Sequence, residues 1–325
     1  MKNQLMWEEF EMKHDFKTPL LLSGISLGVL HTMNRCISAV ATVHGLLNKH
    51  NGTYYEWRFG NVFYTKSGSG SPLLLLHDAS PISSSYEWKE LIQKLSADHT
   101  VYALDLLGCG RSGKPNLTYT NFLYVQMISD FVKNVIGGKT DVAASGLTGS
   151  FVVMACHTNS ELFNKIMLIN PESPEKLSRV PGHRSKIRKL ILDLPIVGTA
   201  VYHLLCRREN IAYIFTERYF KNPFKAQKKY MDLYYESAHL SYNGGKYLLS
   251  SINGMYLNIN IVKALSEINH SIFIVLGESK QDAKAIGAEY TKINPSIEAE
   301  FIRSAKQLPQ LETPEALYED MRIFF

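Results

Sequence analysis

Cysteine is scarce in this chain, and the pattern around the few present excludes more than it suggests. Cys36, Cys109, Cys156 and Cys206 stand far apart in 325 residues. No Cys-x-x-Cys or His/Cys spacing of a metal site occurs, and no motif implies a cofactor. Reduced thiols in a cytoplasmic setting are the expectation. No run of lysine and arginine is interleaved with aromatics, and the formal net charge is only +5, so nucleic acid is not an expected partner. Internal repeats and low-complexity tracts are absent. Residues 1–17 are polar and acidic on balance, which lacks the basic start of a cleaved signal peptide. No histidine follows His270. Against these absences stand 45% hydrophobic and 20% charged residues, the balance of a globular body with a large core.

Residues 1–50 are read as a polar segment followed by an apolar helix, Pro19–Thr42. These 24 residues are long enough for a bilayer core of roughly 30 Å. Ten large aliphatics contribute about −0.3 to −0.6 kcal/mol each, but Arg35 near the middle costs about +2.5 to +3.5. The sum is close to zero. A helix packed on the body, a helix lying on a membrane surface and a true span all stay open. The only literal Gly-x-Ser-x-Gly string, Gly24-Ile-Ser-Leu-Gly28, lies in this stretch. A nucleophile turn needs a strand before it and an oxyanion loop upstream. Neither precedes residue 24, so the string reads as small residues within a helix.

From Tyr54 onward, strand and helix patterns alternate. Tyr54–Phe59 and Asn61–Thr65 read as a hairpin. Leu73–Leu76, Thr100–Leu104, Asp141–Ala144 and Lys165–Asn170 are short apolar runs of buried strands, with helices expected at Tyr86–Leu95, Tyr119–Ile136 and Phe151–His157. Such alternation means parallel βαβ units with a site at the strand C-ends. Residues 172–270 read as helical, with 15 Lys/Arg against 8 Asp/Glu, and strand patterns resume at Ser271–Leu276 and Ala299–Arg303. The expected division is a core of 51–171 and 271–325 carrying a helical cap at 172–270.

Three segments carry a resemblance. Leu73–Leu76 runs into His77, Asp105-x-x-Gly108-x-Gly110-Arg111-Ser112 forms a glycine turn, and Leu308-Pro309-x-x-Glu312-x-Pro314-Glu315 closes the chain. In this order and spacing they resemble the α/β-hydrolase family with a helical cap. That likeness implies an α/β fold: a mostly parallel eight-stranded sheet flanked by helices, with the cap inserted late in the sheet. It also implies a Ser-His-Asp triad, in which a carboxylate orients a histidine that takes the serine's proton.

The positions of that triad hold other residues. At the nucleophile elbow, Ala144-Ser145-Gly146-Leu147-Thr148-Gly149, the serine's place falls on Gly146. Ser145 and Thr148 are the fallback hydroxyls, each with an ordinary helix-start role as its plainer reading. Where the family has its histidine, Lys306-Gln307-Leu308-Pro309 offers Gln307, whose amide is no base near neutral pH. At the acid position stands Lys280, with Asp282 and Glu278 nearby. Around the expected oxyanion hole, the N–H groups of Ala79 and Leu147 face the pocket, and Asp78 sets a carboxylate beside a place meant for an anion. His77 is expected to support the loop from beneath, His157 to face packing or solvent, and His239 to hang over the pocket from the cap. The first reading is therefore a catalytically degenerate hydrolase-like protein that binds a small apolar ligand or a protein partner. The second is an active hydrolase of an ester or other small apolar substrate, using Ser145 or Thr148. A third, compatible with the first, adds a membrane surface met by Pro19–Thr42 and by the basic cap around Arg184, Lys186, Arg188 and Lys189.

Overall fold

A computed structural model describes residues 17–49 and 51–325. Eight strands form one sheet: β1 (Thr53–Trp57), β2 (Gly60–Ser67), β3 (Ser71–Leu76), β4 (His99–Leu104), β5 (Thr140–Ser145), β6 (Phe163–Ile169), β7 (Ile272–Gly277) and β8 (Glu298–Ile302). Their order is β1-β2-β4-β3-β5-β6-β7-β8. The β1–β2 and β2–β4 pairs are antiparallel, and all others are parallel. The sheet order reverses direction beside β3, so the loops after β3 and β5 share the crevice at the strands' carboxyl ends.

Strand composition sets the two faces. Residues alternate across a strand, so Leu74, Leu76, Val142, Ala144, Ile166 and Leu168 point to one side. There they meet α3 (Asn121–Phe131) and α4 (Thr148–Thr158). Leu73, Leu75, Val101, Ala143, Met167 and Val275 point to the other side, against α2 (Lys89–Leu95) and the C-terminal helix Pro314–Phe324. Both faces are covered, which is why these strands read as unbroken apolar runs. The helix expected over Tyr119–Ile136 ends its α-geometry at Phe131 and closes on Gly137 at φ 73°.

Between β6 and β7 the chain is helical, with α5 (Pro174–Leu177), α6 (His183–Asp193), α7 (Val197–Leu205), α8 (Arg208–Tyr213), α9 (Lys228–Asn243), α10 (Gly245–Asn253) and α11 (Val262–Glu267). These helices have their own aromatic core. Tyr202, Phe215, Phe220, Tyr230 and Tyr234 pack with Ile82 of the loop after β3 and with Leu308 and Leu311 of the segment after β8. The N-terminal helix α1 (Lys17–Thr42) lies against α7 and α9. Its docking is specific. The buried Glu236 carboxylate of α9 accepts the N–H groups of Leu46 and Leu47 at 2.7 and 2.8 Å, and Asn34 Nδ2 donates to Ile196 O at 3.1 Å. Gly24 and Gly28 sit on the exposed part of α1 with open space around them. No single helix among the described residues is long and apolar enough to cross a membrane.

Candidate functional site

The elbow forms where β5 meets α4. Gly146 makes the turn at φ 58°, a left-handed conformation that costs a glycine little and other residues much more. Asp78 fills the space beside it. A Cβ built on Gly146 would stand 2.4 Å from Asp78 Oδ1 and 2.9 Å from Oδ2. The same Oδ1 accepts the Leu147 N–H at 2.9 Å. That expected oxyanion-hole donor is thus turned onto a side chain of the chain itself, where the sequence reading has it facing an open pocket. Asp78 is inside the hole, where the sequence suggested only that it lay beside it.

Electrostatics around Asp78 are those of a carboxylate under pressure. Burial, then the nearby Glu172 carboxylate, push its pKa up to about 6, while the Leu147 N–H, Lys280 and the Ala79 N–H pull the other way. Lys280, which the sequence reading sets at the acid position, donates to Asn170 O at 3.2 Å. Burial lowers its pKa against the influence of Glu172 and Asp78. Asp282 and Glu278 are exposed. Asp282 precedes helix Ala283–Ile293 without capping it through its side chain.

The fallback hydroxyls are engaged elsewhere. Thr148 Oγ1 donates to His77 O at 2.8 Å, joining the start of α4 to the loop after β3 rather than capping a free N–H. Ser145 Oγ accepts from Gln310 Nε2 at 3.2 Å. No histidine ring nitrogen hydrogen-bonds either hydroxyl among the described residues. His77 Nδ1 lies 2.7 Å from Asp78 O, and its Nε2 accepts the Leu106 N–H at 3.0 Å. These bonds fix a neutral imidazole protonated on Nδ1, and burial lowers its pKa. His239 is engaged within the helical insert. Its Nδ1 bonds Tyr235 O at 2.7 Å, and its ring stacks on His203 with centroids 5.0 Å apart. Burial pushes its pKa down to about 4. His157 pairs with Glu267 at 2.8 Å near the surface.

The base position is held rigidly by backbone bonds. Gln307 N–H donates to Tyr219 O at 2.9 Å, and its carbonyl accepts from Asn170 Nδ2 at 3.0 Å. Asn170 adopts φ 46° at the end of β6 and also accepts the Gly277 N–H, tying β6, β7 and the 306–307 loop together. The closing motif is structural as well. Buried Glu312 accepts the N–H groups of Lys221, Asn222 and Lys306, clamping the helical insert to the sheet. In the glycine turn, buried Asp105 accepts the N–H groups of Ser85 and Arg111 and pairs with Arg111 Nε at 3.1 Å. Gly110 is required there because a Cβ would stand 2.4 Å from Asp105 Oδ2.

A second carboxylate, this one fully buried, escaped sequence reasoning. Glu87, fully buried in the 3₁₀ turn Ser85–Trp88, accepts from Tyr234 Oη at 2.7 Å and from Gln310 Nε2 at 3.2 Å. Burial raises its pKa to about 7, opposed by these hydrogen bonds, with Asp78 adding to the rise. Glu87, Tyr234, Gln310 and Ser145 form one hydrogen-bonded chain beside the elbow. Glu87 sits in Tyr86-Glu87-Trp88, where aromatic neighbours were the only hint of burial.

A sheet of this order with helices on both faces, an elbow between β5 and α4 and a helical insert after β6 defines the α/β-hydrolase fold. The alpha/beta hydrolase family model matches residues 73–320, and the chain belongs to that family. A 2-hydroxy-6-oxo-6-(2'-aminophenyl)hexa-2,4-dienoic acid hydrolase of Metapseudomonas resinovorans is 29% identical over 108 residues, 33% of this chain and 37% of that one. A soluble epoxide hydrolase of Corynebacterium sp. (strain C12) is 30% identical over 109 residues, 34% of this chain and 37% of that one. The chain thus matches little more than a third of the length of these relatives. Among solved structures, the epoxide hydrolase CorEH superposes with a TM-score of 0.69 at 18% identity, covering 85% of this chain and 98% of that one. The carboxylesterase CesB of Bacillus subtilis gives 0.66 at 18% identity, over 91% and 98%. At such identity these structures speak to the fold alone.

Proposed function

We propose that this chain is a non-catalytic member of the α/β-hydrolase family, acting as a binding or scaffold protein for a small apolar ligand or a protein partner. The observation that carries this reading is the Asp78 carboxylate at the elbow. It stands where a nucleophile's side chain would project from residue 146, and it occupies the Leu147 N–H that would stabilise an oxyanion. Acyl transfer needs that donor free when negative charge develops on the substrate. A carboxylate held there both blocks and repels such an oxygen. Gly146 supplies no nucleophile, Gln307 no base and Lys280 no carboxylate, so each partner of the triad is missing.

The test is covalent labelling. Full-length protein incubated with a fluorophosphonate, and separately with activated esters and epoxides, is expected to keep its intact mass. An adduct located by peptide mapping at Ser145 or Thr148 would establish instead an active hydrolase with a displaced nucleophile. An adduct on Asp78 would make that carboxylate a nucleophile and overturn the reading as well.

A further inference from the structure

The first turns of α1 leave the body with apolar side chains on every side. All residues from Leu21 to Val29 are exposed, with Leu21, Leu22, Ile25, Leu27 and Val29 between 42% and 65% accessible. No charged residue interrupts the sequence between Lys17 and Arg35. A helix apolar all round belongs in non-aqueous surroundings. At 1.5 Å per residue, the stretch from Thr18 to Leu30 is roughly 20 Å long, short of a hydrocarbon core of about 30 Å. Its length suits burial in one leaflet.

A second helix, packed on α7 and α10, also exposes aliphatics. In α6, Ile187, Leu190 and Ile191 recur at i, i+3 and i+4, the spacing of a single face, and they and Leu194 just after the helix are exposed at 42–64%. An amphipathic helix ordinarily turns this stripe to the core, yet α6 buries Ser185 and Leu192 instead. The corner after α6 bends by 103°, and the exposed Val197, Leu204 and Leu205 of α7 continue the apolar surface. Leu204 and Ala200 then line a groove shared with Leu30, Met33 and Ile37 of α1. α1 and α7 thus share an apolar groove, and α6 adds an exposed apolar stripe across the corner from α7, more than the scattered exposed aliphatics of ordinary proteins.

Charge identifies what covers it. Arg184, Lys186 and Arg188 are exposed on α6, and none forms an ion pair among the described residues. The acidic residue of that helix, Asp193, is already paired with Lys189 at 2.5 Å. In a symmetric contact with a second copy, these cations would face their own counterparts. An anionic lipid surface takes both the aliphatics and the charges.

We propose that the first turns of α1, the outer stripe of α6 and the exposed side of α7 form a docking surface for a bilayer with anionic headgroups. The aliphatics enter the acyl boundary by about 5–10 Å, and Arg184, Lys186 and Arg188 meet phosphate and carboxylate groups above it. This assignment is independent of whether the elbow is catalytic.

Flotation of the full-length chain tests it, using vesicles of phosphatidylcholine alone and vesicles with about 30% phosphatidylserine. Binding to the anionic vesicles is expected, weakening as salt is raised. Arg184→Glu with Arg188→Glu should lower the partition at least about thirty-fold. Leu22→Ser, Ile25→Ser and Leu190→Ser together should lower it about a hundred-fold, with the thermal midpoint unchanged because these side chains are exposed. The salt titration needs no variant and so does not depend on how the substitutions fold. Failure of the wild-type chain to float with anionic vesicles overturns the proposal. So does a concentration-dependent dimer in sedimentation velocity that the same apolar substitutions abolish, which would assign the surface to a second copy.

Discussion

At the scale of single residues, two carboxylates define the site, half-buried Asp78 and fully buried Glu87, and each makes a measurable claim. Gly146→Ser puts a Cβ at φ 58° and 2.4 Å from Asp78 Oδ1. Backbone strain and overpacking together should cost about 2–4 kcal/mol in chemical denaturation. In the Asp78→Ala background the steric part disappears, so the double-mutant cycle should show coupling of at least about 1 kcal/mol. Purely additive effects would mean that the two residues do not share this space. Glu87 predicts a pH dependence. Its pKa in the fold is raised to about 7 from an ordinary 4.5, so between these values the native state holds a proton that the unfolded chain has released. Stability is therefore full below about pH 4.5 and falls as pH rises through 7, by about 3 kcal/mol over the window. Glu87→Gln should flatten that slope in urea titrations at several pH values. An unchanged slope would place the proton elsewhere. Asp78 was visible in the sequence as a misfit beside an anion hole, because one residue of a known turn was of the wrong charge. Its entry into the hole was not visible, because that depends on Gly146, far along the chain, leaving room. Glu87 could not be read at all, since its partners Tyr234 and Gln310 come from two remote segments.

At the scale of elements, local pattern was readable where a segment's environment is set by its own neighbours. The unbroken apolar runs of β3 to β7 follow from sheet faces covered on both sides. The Asp105–Ser112 turn is a closed local network whose glycines and ion pair lie within eight residues. The N-terminal helix is the opposite case. Hydropathy alone balanced packing against insertion, and the decision lay with Glu236, about 190 residues away in sequence. Glu236→Ala leaves two buried N–H groups without acceptors, which costs about 1–3 kcal/mol. The loss should be local: faster amide exchange at Leu46 and Leu47 and earlier proteolysis between α1 and β1, with the sheet's protection retained. Uniform loss of protection would show that α1 is integral to the cooperative core.

At the scale of the whole molecule, the proposed reading is that the family's scaffold is kept while its chemistry is lost. The sheet order, the Asp105 turn and the Glu312 clamp are kept because each holds buried polar groups that the fold cannot leave unpaired. On the proposed reading the triad positions carry no such obligation, and Asp78, by accepting the Leu147 N–H, closes the hole from within. Restoring catalysis therefore demands more than a nucleophile. Gly146→Ser alone meets the Asp78 carboxylate and lacks a base, and adding Gln307→His supplies the base while the hole remains filled. Asp78→Gly opens the Leu147 N–H, and Lys280→Asp returns a carboxylate to orient the new imidazole. Residues that act as a unit are grossly non-additive. Fluorophosphonate labelling should stay at background in every single variant and exceed it by about a thousand-fold only in the quadruple variant, at position 146. If Gly146→Ser labelled as fast with Asp78 in place as without it, the carboxylate would not be what closes the hole.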